Sequence, residues 1–202
     1  MAKERLKSPR ARLFVALDLP EGIRAGITAW QGEAFRDEAV RPIRPEALHV
    51  TLCFLNYHPE REIERIGAAV LGIEPRPVEL RFLEEPVPVP PKRSRLYAID
   101  APSDGATELQ AELSGVLEAE RLYEPEKRPF WSHVTVARVR PEKGHRNRPR
   151  RVTTPPPALP GTLLQPFGGV RVTLYRSFLR PSGAEYVPLA GLDLPPPGAQ
   201  KR

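Results

Sequence analysis

The chain has 202 residues, of which 40% are hydrophobic and 28% charged, and it carries a formal net charge of +6 at pH 7 with a pI near 9.8. This length suits one domain, and no apolar run approaches the roughly 18 residues of a membrane span, so we expect neither a membrane segment nor a secretory signal. A single cysteine, Cys53, excludes an intramolecular disulfide and a zinc site built from several cysteines, which favours a reducing, cytoplasmic location.

The first half of the chain predicts a β-α-β-α-β unit. After an extension over residues 1–11, the apolar run from Arg12 to Asp18 predicts a buried strand. The apolar residues between Ile23 and Ala34 recur at spacings of three and four, which predicts a helix with one buried face. The remaining elements are, in order, a strand over Ala47 to Leu55, a helix that buries Ile63, Ile66 and Val70, and a strand near Val78 to Leu83.

The strand from Ala47 to Leu55 alternates apolar and polar residues. Because neighbouring side chains on a strand point to opposite faces, one set should face the core and the other should not. The expected core set is Leu48, Val50, Leu52 and Phe54, and the opposite set is His49, Thr51 and Cys53. Cys53 would then line the same surface as His49, either as a small filler or as a reactive thiol.

The second half of the chain repeats this pattern. The run from Arg95 to Asp100 echoes the run from Arg12 to Asp18, and an amphipathic helix containing Leu109, Leu113 and Leu117 follows it. The distance from Asp18 to His49 is 31 residues and that from Asp100 to His133 is 33. We therefore expect one domain over residues 12–190, built from two pseudo-symmetric β-α-β-α-β repeats at about 12–90 and 95–190.

The C-terminal third begins with a basic, proline-rich stretch around Lys143 to Arg151, which predicts an exposed loop. Two interpretations of its Arg146, Arg148, Arg150 and Arg151 stay open: they bind the phosphates of a nucleic acid such as RNA, or they form a solvated insertion. The runs from Gly169 to Leu179 and from Glu185 to Leu189 predict a closing hairpin, and residues 191–202 predict a loose tail.

Each repeat carries a His-Val-Thr motif, His49-Val-Thr51 and His133-Val-Thr135. Residues two apart on a strand share a face, so each strand presents an imidazole beside a hydroxyl. Two histidines in opposite protonation states can act as base and acid on a phosphodiester, while the threonines hold its non-bridging oxygens. One such motif is ordinary, but packing alone gives no reason for two at matching positions. Two histidines are too few ligands for a metal site.

With these motifs the chain resembles the 2H phosphoesterase superfamily, and in particular its RNA 2′,3′-cyclic phosphodiesterase branch, also called LigT-like or 2′-5′ RNA ligase proteins. The resemblance covers Arg12–Pro20, Leu48–Leu55, Arg128–Arg138, Leu174–Ser177 and Tyr186. It implies a bilobal α+β fold with antiparallel sheets that line a central cleft, no metal or other cofactor, and opening of a 2′,3′-cyclic phosphate to a 2′-phosphate.

The resemblance also implies a role for each site residue. His49 would donate a proton to the leaving 3′ oxygen, His133 would accept a proton from water, and Thr51, Thr135 and Arg138 would bind the phosphate. By strand parity, however, Arg138 should point away from His133 unless the strand twists or ends first. Two departures from the family pattern are Asn56, which replaces a glycine and tolerates a left-handed turn, and Ser132, which replaces a proline.

The expected partners are RNA ends or nucleotides that bear a 2′,3′-cyclic phosphate, and the expected state is a monomer. Ligation of RNA by 2′-5′ bonds, or hydrolysis of 2′-5′ oligonucleotides, remains an alternative at the same site. A non-catalytic RNA-binding protein is the rival of a different class. It is disfavoured because aromatic residues are only 7% of the chain and most belong to apolar faces, which leaves no stacking surface.

Overall fold

One antiparallel sheet organises the computed structural model, which describes residues 9–180 and 183–198 apart from the side chain of Arg146. The strands are β1 (Arg10–Asp18), β2 (Val40–Pro42), β3 (His49–Pro59), β4 (Glu79–Leu80), β5 (Val87–Val89), β6 (Leu96–Asp100), β7 (His133–Val139), β8 (Pro141–Glu142), β9 (His145–Pro149), β10 (Phe167–Gly168), β11 (Arg171–Arg180) and β12 (Gly183–Asp193). The helices are α1 (Glu21–Ala34), α2 (Ile63–Leu71) and α3 (Asp104–Ala119).

The main sheet consists of two halves that meet at one point. Its strand order is β12-β11-β1-β3-β7-β6-β5, with β2 paired to β7 beside this path. The halves join where Val50 of β3 pairs with Val134 of β7. The predicted α+β class with antiparallel strands is confirmed, and the two motif strands are neighbours at the centre of the molecule.

Each of the two long helices contacts the other repeat across the junction. Gln31 of α1 is only 2% exposed, and its Nε2 donates to the carbonyl of Val136 in β7 at 2.6 Å and to that of Ile43 at 3.1 Å. In return, α3 lies against β3 of the first repeat. Each repeat therefore supplies the helix that covers the histidine strand of the other. None of the described helices has the length and apolar character needed to span a bilayer.

Both histidine strands contain a β-bulge just beyond their His-Val-Thr motif. Thr51 and Cys53 pair with the adjacent residues Ala16 and Val15, so one residue of β3 is extra. The same irregularity occurs in β7, where residues 135 and 137 pair with residues 98 and 97 of β6. A bulge inverts the alternation of side chains that follow it.

The bulge in β3 corrects two predictions that rested on unbroken alternation. Cys53 is 1% exposed and packs in the core, so it does not share the surface of His49. Phe54, expected in the core, instead lines the cleft described below. Asn56, further along β3, has a φ of 62°. Glycine and asparagine both tolerate this left-handed conformation, so asparagine can replace the glycine of the family pattern here.

The second repeat departs from β-α-β-α-β order after β7. The stretch around residues 143–151, expected as a loop, forms the small hairpin β8–β9. Between α3 and β11 the described chain forms no second α-helix, and a 3-10 turn over Gly161–Leu164 is its only helical segment. Prolines explain this difference, because they lack the backbone N–H that a helix interior needs.

The predicted C-terminal hairpin is confirmed as β11–β12, although Pro181 and Ser182 of its turn lie outside the described residues. It joins the half-sheet of the first repeat, since β11 pairs with β1. The tail expected from residue 191 begins later, because β12 continues to Asp193 and Leu194 is buried. Residues 199–202, and residues 1–8 of the N-terminal extension, lie outside the described chain.

The bridge made by Gln31 gives a stability prediction. Gln31→Met keeps the volume but removes the donor to the buried carbonyl of Val136 and the part-buried carbonyl of Ile43, so it should lower the free energy of unfolding by about 1 to 2 kcal/mol in urea. Gln165→Met is the matched control, because Gln165 is exposed, and it should change stability by less than about 0.5 kcal/mol. Equal unfolding curves for the two variants would contradict the bridge.

Candidate active site

The two His-Val-Thr motifs meet at the junction of the half-sheets. An antiparallel register centred on Val50 and Val134 brings His49 level with Thr135 and Thr51 level with His133. These four residues line one cleft of about 500 Å³, here called the His-Thr cleft. The structure thus brings the four principal residues predicted from the sequence together around an approximate two-fold axis.

Backbone carbonyls orient both imidazole rings. Nδ1 of His133 lies 2.7 Å from the carbonyl oxygen of Trp131, two residues earlier in the chain. His49 makes the equivalent bond to the backbone of Ala47. A carbonyl oxygen can only accept, so Nδ1 of His133 carries a proton and the lone pair of its Nε2 is available for proton transfer.

The two histidines differ in their electrostatic surroundings. Burial lowers the pKa of His49 to about 4, and the positive charges of His133 and Arg138 add to this effect against the bond to Ala47. Burial also lowers the pKa of His133, but its bond to Trp131 and the negative charge of Asp100 oppose the change. His49 is therefore neutral at pH 7 in the unliganded site, and an anion in the cleft would raise the pKa of either ring.

An aspartate stands opposite each histidine in the sheet, Asp18 across from His49 and Asp100 across from His133. Their bonds differ. Asp100 accepts from Nε1 of Trp131 at 2.5 Å, and its charge acts on His133. Asp18 accepts from the hydroxyls of Thr173 and Tyr175 at 2.7 and 2.8 Å, and burial raises its pKa. The two aspartates end the two matching apolar runs of the sequence. No role was assigned to them from the sequence alone.

Aromatic rings hold both imidazoles in place. His49 stacks on Phe14 with ring centroids 5.0 Å apart and meets Tyr186 edge-on at 5.4 Å. His133 stacks on Trp131 at 3.8 Å, with the planes inclined by 17°. The sequence assigned Phe14 only to a buried strand and left Trp131 and Tyr186 without a role, because neither position belongs to a repeated motif.

The bulge in β7 determines the orientation of Arg138. It inverts the alternation between Thr135 and Arg138, so both line the His-Thr cleft, and the expectation from parity that Arg138 points away is wrong. Arg41 of β2 pairs directly with Arg138 and lines the same cleft. In β3 the equivalent bulge places Phe54 at the corresponding position, where the guanidinium of Arg12 lies 4.5 Å from its ring centroid.

Arg148, Arg150 and Arg151 lie outside the His-Thr cleft. Arg148 forms an ion pair with Glu142 at 3.1 Å, and Arg150 lines a neighbouring depression together with Arg138. Arg151 is exposed, and the side chain of Arg146 lies outside the described part of the structure. RNA binding by these four residues stays a prediction.

An aromatic groove of about 910 Å³ opens beside the His-Thr cleft and shares Thr51, Phe54 and His133 with it. Its phenylalanine, tyrosine and tryptophan residues are Phe54, Tyr123, Phe130 and Trp131. Trp131 is 39% exposed, so one of its faces is open while the other covers His133. The expectation that the chain offers no stacking surface is therefore wrong. Trp131 and Phe130 lie on a loop before β7, where side-chain periodicity gives no guide to exposure.

Metal ligands do not accompany the two histidines. Over residues 9–180 and 183–198, no group of three or more His, Cys, Asp or Glu side chains is placed to hold a metal ion. The thiol of Cys53 is buried and forms no disulfide, and burial raises its pKa to about 12, which keeps it protonated at neutral pH.

Comparisons with known proteins show which family this chain resembles. A family model described as LigT like Phosphoesterase matches residues 17–84, which include the first His-Val-Thr motif. An RNA 2′,3′-cyclic phosphodiesterase of Thermus thermophilus is 31% identical over 198 residues, which are 91% of this chain and 90% of the relative. A protein of the same name from Escherichia coli is 29% identical over 88% of this chain and 93% of its own length.

Solved structures give the same result for the fold. The Thermus thermophilus protein TT0787 superimposes with a TM-score of 0.76 at 26% identity, covering 91% of this chain and 97% of its own. LigT of E. coli in complex with 3′-AMP superimposes with a TM-score of 0.70 at 28% identity, covering 92% of this chain and 99% of its own.

The burial of His49 gives a prediction about acid stability. Its native pKa of about 4 lies below the value near 6.5 expected in the unfolded chain. As the pH falls from about 6.5 to about 4, His49 becomes protonated in the unfolded chain but stays neutral in the folded protein. The folded protein therefore loses stability in this pH range. Because the ring is partly open to the cleft, we expect a loss of about 2 kcal/mol in the free energy of unfolding. This is less than the whole pKa difference would give.

Urea unfolding at several pH values measures this effect. His49→Gln, which cannot titrate, should lose less stability than the wild type between pH 6.5 and 4, and should match its pH dependence above pH 7. Parallel curves over the whole range would mean that His49 titrates normally in the folded protein.

Proposed function

The chain belongs to the LigT-like phosphoesterase family, and from this premise we propose that it hydrolyses 2′,3′-cyclic phosphates at RNA ends to 2′-phosphomonoesters. The resemblance indicated by the two motifs is thereby confirmed. The observation that carries the proposal is the convergence of His49, Thr51, His133 and Thr135 on one cleft. The names of the curated relatives support it, since each is an RNA 2′,3′-cyclic phosphodiesterase.

In the proposed reaction His133 accepts a proton from water, and the water oxygen forms a bond to phosphorus. The bond from phosphorus to the 3′ oxygen breaks, and His49 donates the proton that this oxygen needs. In-line displacement requires the base and the acid on opposite sides of phosphorus. The two-fold relation between the motif strands supports such an arrangement, because it puts one histidine on each side of the axis.

The role of His49 as donor depends on the substrate. With a pKa near 4 in the free site, His49 carries no proton to give at pH 7. A cyclic phosphate brings one negative charge next to the ring, which favours the imidazolium and raises this pKa. The proposed division of labour therefore requires that His49 gains its proton as the substrate binds.

The remaining cleft residues act on the phosphate oxygens. We assign the hydroxyls of Thr51 and Thr135 to the two non-bridging oxygens, because each lies beside the histidine of the opposite strand. The guanidinium of Arg138 would balance the charge that develops on these oxygens. RNA contacts by Arg146, Arg148, Arg150 and Arg151 belong to the same proposal, and the position of Arg150 beside Arg138 supports them.

The proposed substrates are RNA ends and nucleotides with a 2′,3′-cyclic phosphate, turned over without a metal by a cytoplasmic monomer. The solved complexes of E. coli LigT with 3′-AMP and with ATP support nucleotide binding. The free, buried thiol of Cys53 supports a reducing compartment.

Loss of either histidine tests the activity. With a mononucleotide 2′,3′-cyclic phosphate, His49→Ala and His133→Ala should each lower kcat by about 100- to 10,000-fold, the usual contribution of one acid or base. His145→Ala, an exposed histidine of β9, is the matched control and should keep the wild-type rate. EDTA should leave the rate unchanged, and the product should be the 2′-phosphate. Wild-type rates in both active-site variants would refute the proposal.

A sulfur-substituted substrate separates the two roles. When sulfur replaces the 3′ oxygen of the cyclic phosphate, the leaving thiolate needs no proton, so an acid catalyst becomes dispensable. His49→Ala should then recover to within about 10-fold of the wild type, whereas His133→Ala should stay inactive. Recovery of His133→Ala instead would reverse the assignment of donor and acceptor.

A further inference from the structure

A second depression, of about 600 Å³, opens at the C-terminal end of β7, next to the His-Thr cleft. Five of the residues that line it are arginines and none is acidic: Arg41, Arg95, Arg138, Arg140 and Arg150. We call it the arginine trough. Arg41 and Arg138 also line the His-Thr cleft, so the two depressions are continuous.

The backbone holds these arginines together. Arg41 and Arg138 are directly opposite each other on β2 and β7. The carbonyl of Arg95 accepts from the N–H of Val139 at 2.8 Å, and that of Arg140 accepts from the N–H of Arg150 at 2.9 Å. Four chain segments therefore meet at the end of β7, and each contributes an arginine to the trough.

This concentration of positive charge is not balanced within the described chain. Like charges directly opposite in a sheet destabilise the pairing, as for Arg41 and Arg138. No carboxylate of residues 9–180 and 183–198 forms an ion pair with the arginines that line the trough, although Arg148 nearby is paired with Glu142. An anionic ligand would relieve this repulsion, and the arginine guanidinium binds phosphate with two parallel hydrogen bonds.

We propose that the arginine trough binds the phosphodiester backbone of the RNA on the 5′ side of the reacting nucleotide. This inference rests on the proposed function, since a cyclic phosphate ends the chain on its 3′ side and only the 5′ phosphate leads away from it. The trough leaves the cleft beside Arg41 and Arg138, whereas the aromatic groove leaves it beside Thr51 and His133. The RNA backbone would thus leave the cleft through the arginine trough, and the terminal base would lie in the aromatic groove.

Arg140 is the residue to change, because it lines the trough and does not line the His-Thr cleft. The variants are Arg140→Ala, the charge-retaining Arg140→Lys, and the double variant Arg95→Ala/Arg140→Ala. Arg61→Ala is the matched control, since Arg61 is exposed and lies outside both depressions. Melting curves confirm that each variant is folded.

Two measurements are made on each protein. Fluorescence anisotropy follows binding of a labelled RNA of ten nucleotides that ends in a 2′-phosphate, at several salt concentrations. Steady-state kinetics compares a ten-nucleotide RNA that ends in a 2′,3′-cyclic phosphate with the corresponding cyclic mononucleotide. The first measurement needs no turnover, so it tests the trough independently of the catalytic proposal.

We expect Arg140→Ala to weaken binding of the RNA by about 5- to 10-fold, and to reduce the slope of log K against log salt by about 0.7 for one lost phosphate contact. The ratio of kcat/KM for the RNA to that for the mononucleotide should fall by a similar factor. Arg140→Lys should recover most of the binding, the double variant should lose more, and Arg61→Ala should match the wild type.

The outcomes separate the two proposals. Unchanged RNA binding and an unchanged substrate ratio in Arg140→Ala and in the double variant would overturn the trough as an RNA site. Equal losses in Arg61→Ala would also overturn it, because they would reflect net charge alone. If the wild type binds RNA through Arg140 but hydrolyses neither substrate, the trough stands and the proposed phosphodiesterase activity fails.

Discussion

The pairing of Val50 with Val134 is the constraint on which the site depends. It is the point where two half-sheets become one, and because the strands run antiparallel it places each histidine beside the threonine of the other strand. Neither half-sheet alone contains both histidines or both threonines of the His-Thr cleft. The valines themselves are fully buried and carry no chemistry, yet they fix the positions of four polar groups that do.

Within this symmetrical frame the surroundings of the two histidines are unequal. His49 contacts Phe14 and Tyr186 and is affected by the positive charges of His133 and Arg138, whereas His133 stacks on Trp131 and is affected by the negative charge of Asp100. Environments that separate the pKa values of two like groups allow one to give a proton while the other takes one. The duplicated motif supplies the groups, and the unequal neighbours supply the difference between them.

Sequence patterns predicted the three helices and the two histidine strands, because each depends on local periodicity. They failed where one extra residue changed the alternation of side chains: the bulges buried Cys53 and turned Phe54 and Arg138 toward the cleft. The alternation of apolar and polar residues along a strand does not show where a bulge inserts one extra residue. The pairing of β11 with β1 was equally out of reach, since it joins segments that lie more than 150 residues apart.

That long-range pairing has a consequence for synthesis on the ribosome. Strand β1 lies between β3 and β11, and β11 ends at Arg180, so β1 has an unpaired edge until almost the whole chain has emerged. Gln31 of helix α1 likewise lacks its shorter bond, to the carbonyl of Val136, until β7 has been synthesised. An open edge next to unburied apolar surface is what nascent chains aggregate through. The nascent N-terminal half is therefore the form of this protein that most needs chaperone protection.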